Sequence, residues 1–238
     1  EFHKPHKLYN LLDNIKPSAD ICVLAGDIGY PFQKIYYDFI DGVSKKFDHV
    51  ILIHGNHEYY QAGKNKGKTI NDIIEHTTEI MSDIPNVHFL NNSHVDIDDF
   101  RFVGSTLWSD IYDPNYLIND ARCIGNYYYR DISDMHRENK KYLNKMIKDS
   151  DDENKKVIIV THHLPSYQCI AEQYTHDKIN QNYASHCEEL IRDPVKCWIF
   201  GHSHTPTKIL INNIPLISNP IGYINERKNI NYNETISL

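Results

Sequence analysis

The sequence predicts an α/β fold with two mixed β-sheets, and three observations carry the prediction. Short apolar runs rich in β-branched residues recur along the chain and end abruptly at Gly, Asp, Asn or His, as strands buried on both faces do. Between them lie stretches whose apolar residues fall at helical spacing. Closely spaced runs joined by turn residues add a signature of antiparallel pairing.

The continuous runs are Ile21 to Ala25 before Gly26-Asp27, Val50 to Ile53 before His54-Gly55-Asn56, Val157 to Val160 before Thr161-His162-His163, and Cys197 to Phe200 before Gly201-His202. A helix is expected over Phe32 to Lys46, with Phe32, Ile35, Tyr36, Phe39, Ile40 and Val43 on one stripe. Thr69 to Met81 and Ser133 to Ile147 behave the same way, the latter offering Met135, Tyr142, Leu143, Met146 and Ile147 for burial. Alternation of strand and helix argues for α/β architecture. Val87 to Leu90, Phe100 to Gly104, Thr207 to Ile211 and Pro215 to Ser218 read as antiparallel strands, with Asn212-Asn213 as a hairpin turn. Gly63 to Lys68 and the acidic run Asp149 to Glu153 read as solvated loops.

The 238 residues, 40% hydrophobic and 24% charged, suit a globular protein able to bury a core without staples. A net charge of -7 argues against a broad nucleic-acid-binding face, but not against a phosphate substrate, because bound metal ions reverse the local field. Five cysteines without a C-x-x-C pair read as free thiols, Cys22 and Cys197 as buried ones, and point to a reducing, cytoplasmic setting. No apolar stretch approaches the roughly 20 residues of a membrane span.

Function is signalled by where the polar residues fall. Each continuous run ends at a turn carrying Asp, Asn or His, and the carboxyl ends of strands in α/β sheets face the functional crevice. Singly, each has an ordinary explanation: Asp27 as a helix cap, His162-His163 as surface or core histidines. Together they deliver a set of metal-ligand side chains to one edge.

Gly26-Asp27, Gly55-Asn56-His57-Glu58, Thr161-His162-His163 and Gly201-His202-Ser203-His204 resemble, in order and spacing, the motifs of the calcineurin-like metallophosphoesterases. Thr106 to Asp110, Asn119-Asp120 and Ser218 to Tyr223 resemble one bacterial-type branch, so the likeness covers nearly the whole chain. It implies one domain over residues 1–238, with two sheets packed face to face and helices on the outer faces, a four-layer αββα arrangement. It also implies two divalent ions about 3.5–4 Å apart, of manganese, iron or zinc. Asp27 would bridge them, Asn56, His162 and His202 would hold the second, and His204 would go to the first.

The implied reaction is hydrolysis of a small phosphomonoester or phosphodiester by a metal-activated water, with His57 as general acid. Histidine suits that role because its ordinary pKa lies near neutrality. Glu58 would orient the loop or cap the next helix. Trp108, Asp110, Asn119 and Asp120 are candidate cleft residues, although a tryptophan after a strand more often packs in the core. His163 is expected beside the ligands and His54 in packing. Tyr59, Tyr60 and Tyr127 to Tyr129 are mainly packing residues that could stack on a base. Ile221 stands where the related branch has an arginine, which bears on specificity.

The departure is at the opening. The family begins with a strand ending in Asp-x-His that ligates the first metal. Here no apolar strand precedes Asp20, and the chain starts Glu1-Phe2 where relatives continue from that motif. The expectation is that the motif is encoded just before Glu1 and that the chain as it stands holds one ion. The rival reading is a non-catalytic member that binds a phosphate-containing ligand or a protein partner.

Overall fold

The computed structural model describes residues 11–223, 226 and 230–237, so the opening Glu1-Phe2 lies outside the described residues. Strand β1 (Ile21–Ala25) is followed by α1 (Lys34–Ser44), β2 (His49–Ile53), α2 (Ile70–Met81) and β3 (Val87–Phe89). These strands form a three-stranded parallel sheet in the order β1-β2-β3. Val87 to Phe89 therefore runs parallel to its neighbour, not antiparallel. The helical crossover through α2 returns the chain in the direction of β2 and imposes this.

A second sheet collects β4 (Ser93–Ile97), β5 (Phe100–Ser105), β6 (Lys156–Thr161), β7 (Val195–Phe200), β8 (Thr207–Ile211) and β9 (Ile214–Ser218), in the order β4-β5-β6-β7-β9-β8. It is mixed. β5, β6, β7 and β9 run parallel, and the hairpins β4-β5 and β8-β9 close its two edges. The β8-β9 turn is Asn212-Asn213, both at positive φ (53° and 63°), which asparagine tolerates better than most residues.

Side-chain alternation on these strands builds the layers. Val50 and Leu52 pack outward on Tyr36, Phe39, Ile40 and Val43 of α1. Ile51 and Ile53 point the other way, against Phe102, Ile158 and Val160 of the large sheet, and so form the inter-sheet core. On the far face Val157, Ile159 and Trp198 meet Leu143, Met146 and Ile147 of a long helix, α4 (Tyr129–Asp152). The result is the expected αββα sandwich. Full burial of each such aliphatic side chain contributes about 1.5–3 kcal/mol.

Helix α2 starts with a capping box: Thr69 Oγ1 accepts from Asp72 N at 3.1 Å, and the Asp72 carboxylate accepts from Thr69 N at 2.7 Å. Helix α4 is longer than its apolar stripe and absorbs most of the acidic run expected as a loop, with Lys145 paired to Asp149 one turn on. The Gly63 to Lys68 segment is largely exposed but is pinned by buried Asn65, whose Nδ2 donates to Glu58 O at 2.7 Å. All five cysteines are free thiols.

One edge is unusual. β1 is apolar throughout, yet every residue in it is partly exposed, because among the described residues only β2 pairs with it. Beside it runs a groove of about 720 Å³, lined by Ile21, Val23, Phe100, Phe102, Ile158 and Ile199 and reaching Asp27 and His57. An apolar strand belongs inside a sheet rather than at its edge.

Candidate metal centre

The carboxyl ends of β1, β2, β6 and β7 lie together at one end of the sandwich and carry Asp27, Asn56 to Glu58, His162, and His202 with His204. Close approach of these turns requires glycine. A Cβ on Gly55 would sit 2.2 Å from Asp27 Oδ1 and 2.5 Å from His162 Cε1. One on Gly26 would sit 2.4 Å from Gly55 N, and Gly26 also has φ +85°. The left-handed turn continues into Asp27 at φ 60°, which aims its carboxylate back across the strand ends.

Glu58 holds the two loops in this position. Its buried carboxylate accepts Asp27 N at 2.9 Å and Gly55 N at 2.8 Å through Oε2, and Ile28 N at 2.6 Å and Gly29 N at 3.3 Å through Oε1. Burial pushes this carboxyl up to about 7, against the pull of the amide donors that favour its anion. Loop orientation, rather than helix capping, is its role.

The ligand atoms follow from the hydrogen bonds around them. His162 Nδ1 lies 2.7 Å from Ala25 O, and since a carbonyl only accepts, Nδ1 carries the proton. That leaves Nε2 as the lone-pair atom, 3.0 Å from Asn56 Oδ1 and 3.4 Å from Asp27 Oδ2. Asn56 presents its oxygen there because its Nδ2 donates to Asp120 Oδ1 at 2.7 Å. His202 Nε2 donates to Asn182 O at 3.3 Å, freeing Nδ1. Ligand atoms of Asp27, His162 and His202 all lie within 4.8 Å of one another.

Three acceptor atoms, His162 Nε2, Asn56 Oδ1 and Asp27 Oδ2, thus face one point with no donor between them unless the ring is protonated. Asp27, His162 and His202 form a group that could hold a metal ion. Burial lowers the His162 pKa, but Asp27 beside it outweighs burial and raises it. Asp27 itself is raised by burial and then held well below the carboxylate range by His162, His57 and His202. His202 is pushed well below its usual range by burial and by His163 and His162, so its imidazole is neutral, as a ligand must be. An oxygen-and-imidazole set of this kind fits a first-row divalent ion.

His57 stands in front of the cluster. Its backbone N donates to Asp27 Oδ1 at 3.0 Å, its ring stacks on Tyr60 at 4.3 Å, and its Nε2 lies 4.0 Å from Asp27 Oδ2 and 3.4 Å from Tyr223 Oη. His204 lies outside the three-residue cluster, partly exposed, with Nδ1 2.7 Å from a Glu226 carboxylate oxygen and Nε2 facing away from that bond.

Other expected residues divide. Asp120 is buried at the site, whereas Asn119 and Asp110 are exposed. Trp108 packs between Tyr59 and His163. His163 is buried behind His202, its ring 4.4 Å away, and burial lowers it to about 3. His54 packs on Phe89 and bonds Tyr59 Oη at 3.1 Å through Nδ1, and burial lowers it to about 3 as well. Tyr128 is exposed, while Tyr59 is core. Three partners escape sequence reasoning. Glu226 carries no motif, and the carbonyls of Ala25 and Asn182 act whatever their side chains. Among the described residues no helix is long and apolar enough to cross a membrane.

Comparison with known proteins agrees with this architecture. The family model for calcineurin-like phosphoesterases matches residues 2–206, which include every predicted ligand and His57. An uncharacterized protein of Acanthamoeba polyphaga mimivirus is 31% identical over 243 residues, covering 94% of this chain and 86% of that protein. Among solved structures, the phosphopantetheinyl hydrolase PptH of Mycobacterium tuberculosis superposes with a TM-score of 0.73 at 15% identity, covering 90% of this chain and 84% of that one. The protein TT1561 of Thermus thermophilus gives a TM-score of 0.54 at 12% identity, covering 91% of this chain and 82% of that one. The chain belongs to the calcineurin-like phosphoesterase family.

Proposed function

We propose that the protein hydrolyses a small phosphomonoester or phosphodiester at this centre, with Asp27, Asn56, His162 and His202 holding one divalent ion and His57 protonating the leaving oxygen. The observation that carries the reading is the convergence of His162 Nε2, Asn56 Oδ1 and Asp27 Oδ2 with each ligand's opposite atom tied down. A divalent ion bound there would supply Lewis acidity toward a phosphoryl oxygen and an acidified water. The chain's own contribution is placement. Glu58 fixes the Asp27 loop, Ala25 and Asn182 set the imidazole tautomers, and Tyr60 holds the His57 ring against rotation. His57 lines the groove, which gives a leaving group room beside it.

The other ion, the first of the pair, would draw on Asp27 and on His204, whose Nδ1 contact with Glu226 leaves Nε2 available. Two protein ligands are few for such a site. The apolar groove beside β1, lined in part by Asp27, would accept a further strand ending in Asp-x-His, which would complete that site. Isothermal titration with Mn²⁺ tests the whole reading. The chain as it stands should take one dominant ion. A form carrying an added strand that ends in Asp-x-His should take two and hydrolyse p-nitrophenyl phosphate or its bis-ester in a chelator-sensitive way. No Mn²⁺ binding by either form, or hydrolysis indifferent to chelator, contradicts it.

A further inference from the structure

We infer that Asp120 is a positioning residue of the metal centre: it locks the Asn56 side-chain amide in the one orientation that presents oxygen to the ion. The inference rests on the metal reading and concerns a residue 64 positions away from Asn56 in the chain.

An asparagine amide is nearly symmetric in shape, and its two ends differ only in hydrogen-bonding sense. Rotated by half a turn, Asn56 would point an NH₂ group at the site and repel a cation. What prevents this is on the other side of the amide. Asp120 Oδ1 accepts from Asn56 Nδ2 at 2.7 Å and from Tyr60 Oη at 2.6 Å, so the carboxylate oxygen faces two donors. Tyr60 Oη, its hydrogen given to Asp120, stands 3.5 Å from the same Nδ2 as a second acceptor. A flipped Asn56 would bring its oxygen against the Asp120 carboxylate, and a buried acceptor-to-acceptor contact of that kind is expensive.

Asp120 can act in this way because it is itself immobile. It is 3% exposed and opens the short helix α3 (Asp120–Cys123). That helix is stitched to the Asn56 loop by Gln61 N donating to Cys123 O at 2.6 Å and by a bridge between Tyr60 and Ile124. No ion pair offsets the buried carboxyl among the described residues, and its strongest contacts are the two it makes to Asn56 and Tyr60. Tyr60 in turn carries the stacked His57 ring, so one carboxylate organises a ligand and the platform of the acid.

Mn²⁺ titration and unfolding of the metal-free protein together test this. Asp120→Ala should weaken Mn²⁺ binding about 10–100-fold, as loss of such outer partners typically does. Asp120→Asn should recover most of that affinity, since its Oδ1 can still accept from Asn56. Asn56→Asp alone should bind Mn²⁺ poorly because two carboxylates then face each other. The double variant Asn56→Asp with Asp120→Asn exchanges donor and acceptor, and should bind better than Asn56→Asp alone, a positive coupling that a general loss of stability does not produce. If Asp120→Ala fails to fold, this coupling decides the matter. Wild-type affinity in Asp120→Ala, or no recovery in the double variant, overturns the inference. Failure of the wild-type chain to bind Mn²⁺ would instead overturn the metal reading on which it rests.

Discussion

The carboxylate of Glu58 accepts the backbone N–H of Asp27 at 2.9 Å, joining two strand-end loops 31 residues apart. Through the same two oxygens it also takes the amides of Ile28, Gly29 and Gly55. Glu58→Gln keeps the shape but replaces one oxygen with an NH₂ group that faces amide donors. At least one buried N–H then loses its acceptor, at about 1–3 kcal/mol per group. Urea unfolding should show a loss of that order, and Mn²⁺ titration should show weakened binding in the same variant. Unchanged stability would mean the loops are held by something else.

A methyl group is enough to close the centre at Gly55. The added Cβ would sit 2.2 Å from the Asp27 carboxylate and 2.5 Å from the His162 ring, so both side chains must shift from their present positions. Gly55→Ala should therefore fold with a modest loss of stability yet lose Mn²⁺ binding by more than tenfold. Gly67→Ala is the control. A Cβ there meets nothing within 4 Å, although φ +82° makes it mildly strained, so it should leave Mn²⁺ binding intact.

The strands that end at the proposed ligands are legible in the sequence because each is a short continuous apolar run that stops at a polar turn residue. Of these, β2, β6 and β7 are largely buried as such runs predict, while β1 is partly exposed. Strand β4 is not legible in this way. Ser93-His94-Val95-Asp96-Ile97 alternates polar and apolar residues over a short span, and that alternation is the only available signal. The direction of β3 is equally hidden, because three residues with no hairpin turn say nothing about orientation until the crossover helix is placed. At the site, Asp27, Asn56, His57, His162 and His202 announce themselves by following strands. The position of His204 against Glu226 cannot be read, since Glu226 sits in no motif and 22 residues further on. Nor can the pairing of Asp120 with Asn56, which depends on how α3 folds back over the loop.

Acid should loosen the long helix from the loop after β5. His136 on α4 is buried, and its Nδ1 donates to Leu107 O at 3.0 Å, holding a backbone turn where Leu107 and Trp108 both have positive φ. Burial lowers the His136 pKa more than the Leu107 carbonyl raises it. The folded state therefore resists a proton that the unfolded chain accepts near its ordinary value of about 6.5, and stability falls as pH drops below that value. The melting temperature of the wild-type chain should drop more between pH 7.5 and 5.5 than that of His136→Gln, which keeps an N–H donor and does not titrate. Equal drops would remove His136 from the account.

The most direct test of the central claim separates ligand from acid in a form carrying an added strand that ends in Asp-x-His. Turnover of one ester with a poor leaving group and one with a nitrophenolate leaving group would be measured beside Mn²⁺ stoichiometry for His57→Ala and His202→Ala. His57→Ala should keep its metal and lose turnover by roughly 10²–10⁴-fold on the poor leaving group, with a smaller loss on nitrophenolate, which needs less help from a proton. His202→Ala should lose metal and turnover together and recover in part at high Mn²⁺. A His57→Ala protein that loses metal as His202→Ala does, or whose defect is the same for both leaving groups, would contradict the account.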